Sequence, residues 1–132
     1  MRKFLFAMLA AFCLLCACGA EETTLGERID FRQISQEEAK TMMSANGEAV
    51  ILDVRTQEEY DSSHIKGAVL LPVDEITEET AREVISTKNT QVLVYCRSGN
   101  RSVTASEALV QLGYREVYEF GGIQTWPYET EP

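Results

Sequence analysis

Between Phe31 and Trp126 the chain repeats one pattern: a short, unbroken apolar run, then a stretch with helical periodicity. "SQEE" (Ser35 to Glu38) has the form of a capping box, a serine over the first turn with a glutamate three residues on to return the bond. Ala39, Met42 and Met43 follow at helical spacing, and Gly47 breaks the segment. "AVILDV" reads as a buried strand. "TQEE" (Thr56 to Glu59) is a second capping box and predicts a short helix through Tyr60. "AVLLP" is a strand stopped by Pro72, and a helix is expected from about Thr77 to Ile85. "QVLVYC" is the most continuous strand candidate. After it, Ala105, Ala108, Leu109 and Leu112 share one face of a helix that ends on Gly113. "EVYEF" is the last strand, before Gly121-Gly122 and a short segment carrying Trp126.

Strands that are apolar throughout, rather than at every second position, are buried on both faces. With helices between them they argue for an α/β fold built on a parallel sheet with helices on both sides. In such sheets ligands gather beyond the carboxyl ends of the strands. Cys96 stands at one of those ends.

The first residues follow a different pattern. "MRKFLFAMLAAFCLLCACGA" sets two cations, Arg2 and Lys3, before an apolar run from Phe4 to Ala17. That run is short for a membrane span and the right size for the core of a signal peptide. "LCAC" followed by glycine resembles the lipobox of bacterial lipoproteins, with Leu15 and Ala17 in the expected places. By that resemblance Cys18 is acylated and becomes the first mature residue, and several acyl chains on it give stable membrane attachment. "GAEETTLGERID" (19 to 30) is acidic and aperiodic, a tether with a reach of roughly 20 Å. The expected organisation is therefore a signal peptide over 1–17, the acylated cysteine and tether over 18–30, one domain over 31–128 and a tail over 129–132.

Charge and cysteine count sharpen this picture. The formal net charge is −9, and cleavage before Cys18 removes Arg2 and Lys3 and no acid, making it two units more negative. Such a surface repels nucleic acid and anionic lipid, so neither is an expected partner. Cleavage also discards Cys13 and Cys16. With Cys18 acylated, Cys96 is the one free thiol, and no internal disulfide can form. The sequence offers no ligand cluster for a metal, and no cofactor is expected.

In "CRSGNRS", Gly99 and Asn100 are the residue types that most readily take left-handed backbone conformations. A tight turn there can aim successive N–H groups inward as an anion-binding nest, and a helix starting near Arg101 adds the positive end of its dipole. Arg97 and Arg101 bring two cations into an acidic protein. Each of these favours thiolate over thiol, which is how a reactive cysteine is made.

"DVRTQEEYDSSHIKGAVLLP", "VLVYCRSGNRS" and "GGIQTW", in this order and spacing, resemble three signature regions of the rhodanese-like domains. The resemblance implies a five-stranded parallel sheet and Cys96 as the residue that carries sulfur as a persulfide. A Cys96 thiolate would attack the outer sulfur of a donor such as thiosulfate, and cyanide or a thiol would then remove that sulfur. Arg97 and Arg101 would attract the dianionic donor, and the loop residues Ser98, Gly99, Asn100 and Ser102 complete the binding site. The dual-specificity phosphatases of the same fold use a cysteine, five residues and an arginine. Here Arg101 follows Cys96 after four, Ser102 holds the phosphatase position, and Tyr95 stands where histidine is usual. The smaller loop suits a sulfur atom better than a phosphate. Asp53 and Arg55 are expected as a buried pair bracing the site, or as substrate contacts. His64 falls where the family has a structural contact and is not assigned to catalysis. Trp126 is expected to pack beneath the loop. The function expected is thus that of a monomeric, extracytoplasmic, lipid-anchored sulfurtransferase. A persulfide carrier that hands sulfur to a protein partner is the alternative. A redox-active thiol is a weaker reading, because no second cysteine lies nearby.

Overall fold

The computed structural model describes residues Asp30–Pro132; the segment expected as a signal peptide, Cys18 and the expected tether up to residue 29 lie outside them. Five parallel strands form the sheet in the order β1-β6-β5-β2-β4: Arg32–Gln33, Glu116–Gly122, Gln91–Cys96, Val50–Asp53 and Val69–Leu70. The expected α/β architecture is therefore present. It also includes a two-residue antiparallel pair, β3 (His64–Ile65) with β7 (Thr130–Glu131). The segment expected as a tail is thus stitched to the domain, with Lys66 N donating to the Glu129 carbonyl at 3.3 Å.

The central strand β5 shows why the apolar runs are continuous. Val92, Val94 and Cys96 face one core cluster, packed beneath Ala81 and beneath Ala105 and Leu109. Leu93 and Tyr95 face the opposite cluster with Ala39, Phe120 and Trp126. The first cluster lies under α3 (Glu78–Val84) and α4 (Asn100–Gln111), the second under α1 (Gln36–Ala45). Both faces of the sheet are dry, as a doubly covered parallel sheet requires.

The helices start where their caps predict. Ser35 and Glu38 form the reciprocal capping box at α1. Thr77 and Thr80 form another at α3, which the sequence reading did not single out. At α2 (Gln57–Ser62) the box is only half made. Thr56 caps the Glu59 N–H, but the Glu59 carboxylate turns away to Arg101, a stronger, charged partner. "AVLLP" yields a strand of two residues, since Leu71 onward bonds to β2 through single contacts and Pro72 removes the next donor.

Candidate active site

All five strands of the main sheet point their carboxyl ends the same way, and the site is built at that edge. β5 ends on Cys96, opposite Gly122 of β6, with a register shift between Val94 and Cys96. Such irregularities re-aim a side chain where a ladder ends. The loop then turns through Gly99, whose φ of 105° lies in the left-handed region. Gly99 is also the residue before the first turn of α4, so the helix begins directly above the sulfur.

Cys96 is 1% exposed, buried as a core cysteine would be, yet its sulfur accepts a hydrogen bond from Gly99 N–H at 3.0 Å. Its Sγ also lies 3.4 Å from Ser102 Oγ. Burial pushes the thiol up, but hydrogen bonds, those from the backbone N–H groups of Ser102, Gly99 and Ser98 among them, outweigh it. The thiol is held below its ordinary value. Backbone amides therefore gather on the sulfur; of the two turn residues expected, Gly99 takes the left-handed conformation, while Asn100 is already the first residue of α4.

The six loop residues expected to bind substrate divide into two groups. Arg97, Ser98 and Asn100 are exposed and Gly99 is half-buried, so the loop itself faces solvent. Arg101 is not a free cation: its guanidinium holds Glu59 bidentately at 2.7 and 3.0 Å. Ser102 is fully buried and bonds to Cys96 and to Glu119, so its hydroxyl is already engaged beside the sulfur. Arg97 remains the loop cation open to a dianion.

Asp53 and Arg55 form the expected buried pair, at 2.7 Å, with side chains 0% and 6% exposed. The pair braces β5 from the face opposite the sulfur. Tyr95 donates its hydroxyl to Asp53 at 2.7 Å and receives the Ile65 N–H at 3.0 Å. Burial and the Asp53 carboxylate push the Tyr95 phenol up, so it remains a neutral strut. His64 is buried, stacked on Tyr60 and held by the Tyr60 carbonyl and Glu131. These are structural contacts, in line with its expected role. Trp126 is buried against Phe120 and Tyr128. It joins Arg55, Ser63, Arg97, Gln124 and Tyr128 around a cleft of about 500 Å³ beside the loop.

Three functional residues escaped the sequence reading. Glu59 locks Arg101; Glu119, 4% exposed, holds Ser102 at 2.6 Å; and Gly122 lets the loop close. A Cβ on Gly122 would collide with the backbone carbonyl of Arg97. The one visible signal was Glu119 itself, an acid inside the apolar run "EVYEF".

Comparison with known proteins agrees with this geometry. The family described as "Rhodanese-like domain" matches residues 35–128. The chain is 40% identical over 73 residues to the thiosulfate sulfurtransferase PspE of Escherichia coli K12, covering 55% of this chain and 69% of that one. It is 36% identical over 97 residues to the thiosulfate sulfurtransferase GlpE of Coxiella burnetii (strain RSA 331), covering 73% of this chain and 87% of that one. Among solved structures, a rhodanese with anions from E. coli superposes with a TM-score of 0.59 at 32% identity, over 63% of this chain and 96% of that one. The chain belongs to the rhodanese-like domain family and is a sulfurtransferase of the rhodanese type.

Proposed function

We propose that this protein moves sulfane sulfur from a small anionic donor of the thiosulfate class to a thiol or cyanide, through a persulfide on Cys96. The observation that carries the reading is the sulfur's position at the N-terminus of α4, with Gly99 N–H on it at 3.0 Å. In the first half-reaction the Cys96 thiolate attacks the outer sulfur of the donor. A Cys–S–S bond forms, the donor's S–S bond breaks, and sulfite leaves with the electron pair. The persulfide keeps one negative charge, now on its outer sulfur, where the loop N–H groups can receive it. Arg97, exposed at the mouth, draws the dianion in. In the second half-reaction the acceptor attacks the outer sulfur and Cys96 returns as thiolate. No step calls for a metal or an organic cofactor, and transfer through an enzyme-bound intermediate predicts ping-pong kinetics.

We further propose that the protein acts outside the cytoplasm as a monomer anchored by a lipid on Cys18. Support for this reading is the charged start, apolar run and "LCAC" of residues 1 to 18. The test of the chemistry is intact-mass analysis after thiosulfate treatment. Wild type is expected to gain the mass of one sulfur atom, and Cys96→Ser to gain none and to make no thiocyanate from thiosulfate and cyanide. Thiocyanate production by the Cys96→Ser variant would refute the reading. A wild-type persulfide that forms but turns over only with a co-purifying protein would place the activity in sulfur carriage.

A further inference from the structure

The Ser102 hydroxyl stands between two groups that compete for its single hydrogen. Its Oγ is 2.6 Å from Glu119 Oε1 and 3.4 Å from Cys96 Sγ. An O–H to carboxylate bond at the shorter distance is the strong, charge-assisted kind. The hydrogen therefore rests on the Glu119 side, and Ser102 offers the sulfur only lone pairs, which accept from S–H. Glu119 is fixed in this position. Oε1 also takes the Gly121 N–H at 2.8 Å, and Oε2 takes Gln33 Nε2 at 3.3 Å from the edge strand β1. Ser102 and Glu119 are 0% and 4% exposed, so bulk water is not a ready substitute partner for either.

We propose that Glu119 is a positioning residue that governs the ionisation of Cys96 through Ser102. While Glu119 holds the hydroxyl hydrogen, Ser102 accepts from the Cys96 S–H and so favours the thiol form. When the thiol gives its proton to a solvent base, the Ser102 hydrogen swings from Glu119 to the sulfur, and Glu119 keeps its bonds to Gly121 and Gln33. The swing trades a strong bond for a weaker one and leaves two anions on either side of a serine. Both effects oppose the bare thiolate. The loaded persulfide bears its charge one S–S bond farther from Glu119, so it is opposed less. Glu119 thus offsets part of the pull of the amide cradle and leaves more of the emptied cysteine as thiol, the form least open to oxidation and alkylation.

The other charges around the sulfur are accounted for. Arg101 on α4 is paired with Glu59 on α2, Arg55 with Asp53 at the end of β2, and Tyr95 on β5 is bonded to Asp53. Arg97 lies exposed in the loop, and on β1 Arg32 is turned to the Tyr118 hydroxyl. Among the described residues, Glu119 is the one acid linked to Cys96 through a shared hydrogen-bond partner.

The inference rests on Cys96 being the reacting sulfur, but its test reads the thiol directly and needs no sulfur donor. The pH dependence of iodoacetamide alkylation is followed at the Cys96 peptide by mass spectrometry, in wild type, Glu119→Gln, Ser102→Ala and the double variant. Glutamine keeps the shape and the acceptor oxygen but not the charge. Its midpoint is expected about one pH unit lower, giving about tenfold more thiolate at pH values below both midpoints. In the Ser102→Ala background the same change should shift the midpoint by less than half as much. Glu119→Asp, with its carboxylate drawn back one carbon, is expected to shift it in the same direction by less, and serves if the glutamine variant does not fold. An unchanged midpoint in either Glu119 variant would overturn the inference, as would an equal shift with and without Ser102. A failure to load sulfur would leave these midpoints, and the inference, untouched.

Discussion

At the residue scale the site depends on where side chains are missing as much as on where they stand. Gly122 has an ordinary extended φ of −138°, so it is not there for backbone freedom. It is there because the Arg97–Ser98 peptide lies against its Cα, and backbone atoms cannot swing aside as a side chain would. Gly122→Ala is therefore expected to lose about 2–3 kcal/mol of stability in urea unfolding and to slow alkylation of Cys96 as the loop is displaced. Gly47→Ala, where an added Cβ meets nothing within 4 Å, is the control and should change stability by less than about 0.5 kcal/mol. Cys96 and its amide cradle were legible in the sequence because the loop is contiguous: turn residues, cations and the helix start all fall within seven positions. Glu119 and Glu59 were not. Their partners lie 17 and 42 residues away, and only the crossing of α4 over β6 and the approach of α2 bring them together.

At the scale of elements, the Glu59–Arg101 pair ties the start of α4 to the first turn of α2. The Arg101 hydrogen bonds lower the Glu59 carboxyl from about 4.5 to about 2, against a smaller opposing effect of burial. A carboxyl depressed in the folded state binds protons more readily when unfolded. Its stabilisation is therefore complete above pH about 4.5 and is lost as the pH falls towards 2. Both side chains are partly exposed, so solvent screening holds the contribution to about 1–2 kcal/mol. The gap in urea midpoint between wild type and Glu59→Gln should then be full at pH 6 and close steadily below pH 4. A gap that does not change with pH would show that packing, not the ion pair, joins the two helices. The helices themselves could be read from their caps and periodicity, which are local. The strands β1, β3 and β7 could not. Each has two residues, too few to show any alternation, and each exists only because a neighbour supplies the register.

For the whole molecule, the apolar runs announced a doubly covered parallel sheet, but not the order of its strands. Nothing in the run lengths says that β5 lies between β6 and β2, or that the first strand joins an edge. The proposed anchor is tested at this scale. In a bacterial host the mature chain is expected to begin at a diacylglyceryl-modified Cys18, and globomycin or Cys18→Ala should leave the precursor uncut. An unmodified N-terminus downstream of Cys18 would remove the anchor from the account. The placing of β1 sets where any such attachment meets the domain. Arg32 is level with Tyr118, so counting back two residues puts Asp30 level with Glu116, at the amino end of the sheet. Cys96 is level with Gly122, six residues further along β6, or roughly 20 Å away. The domain is thus polarised. Whatever is fastened through the residues before Asp30 grips one pole, and the sulfur-handling mouth opens at the other, free to face a diffusing donor or the exposed thiol of a second protein.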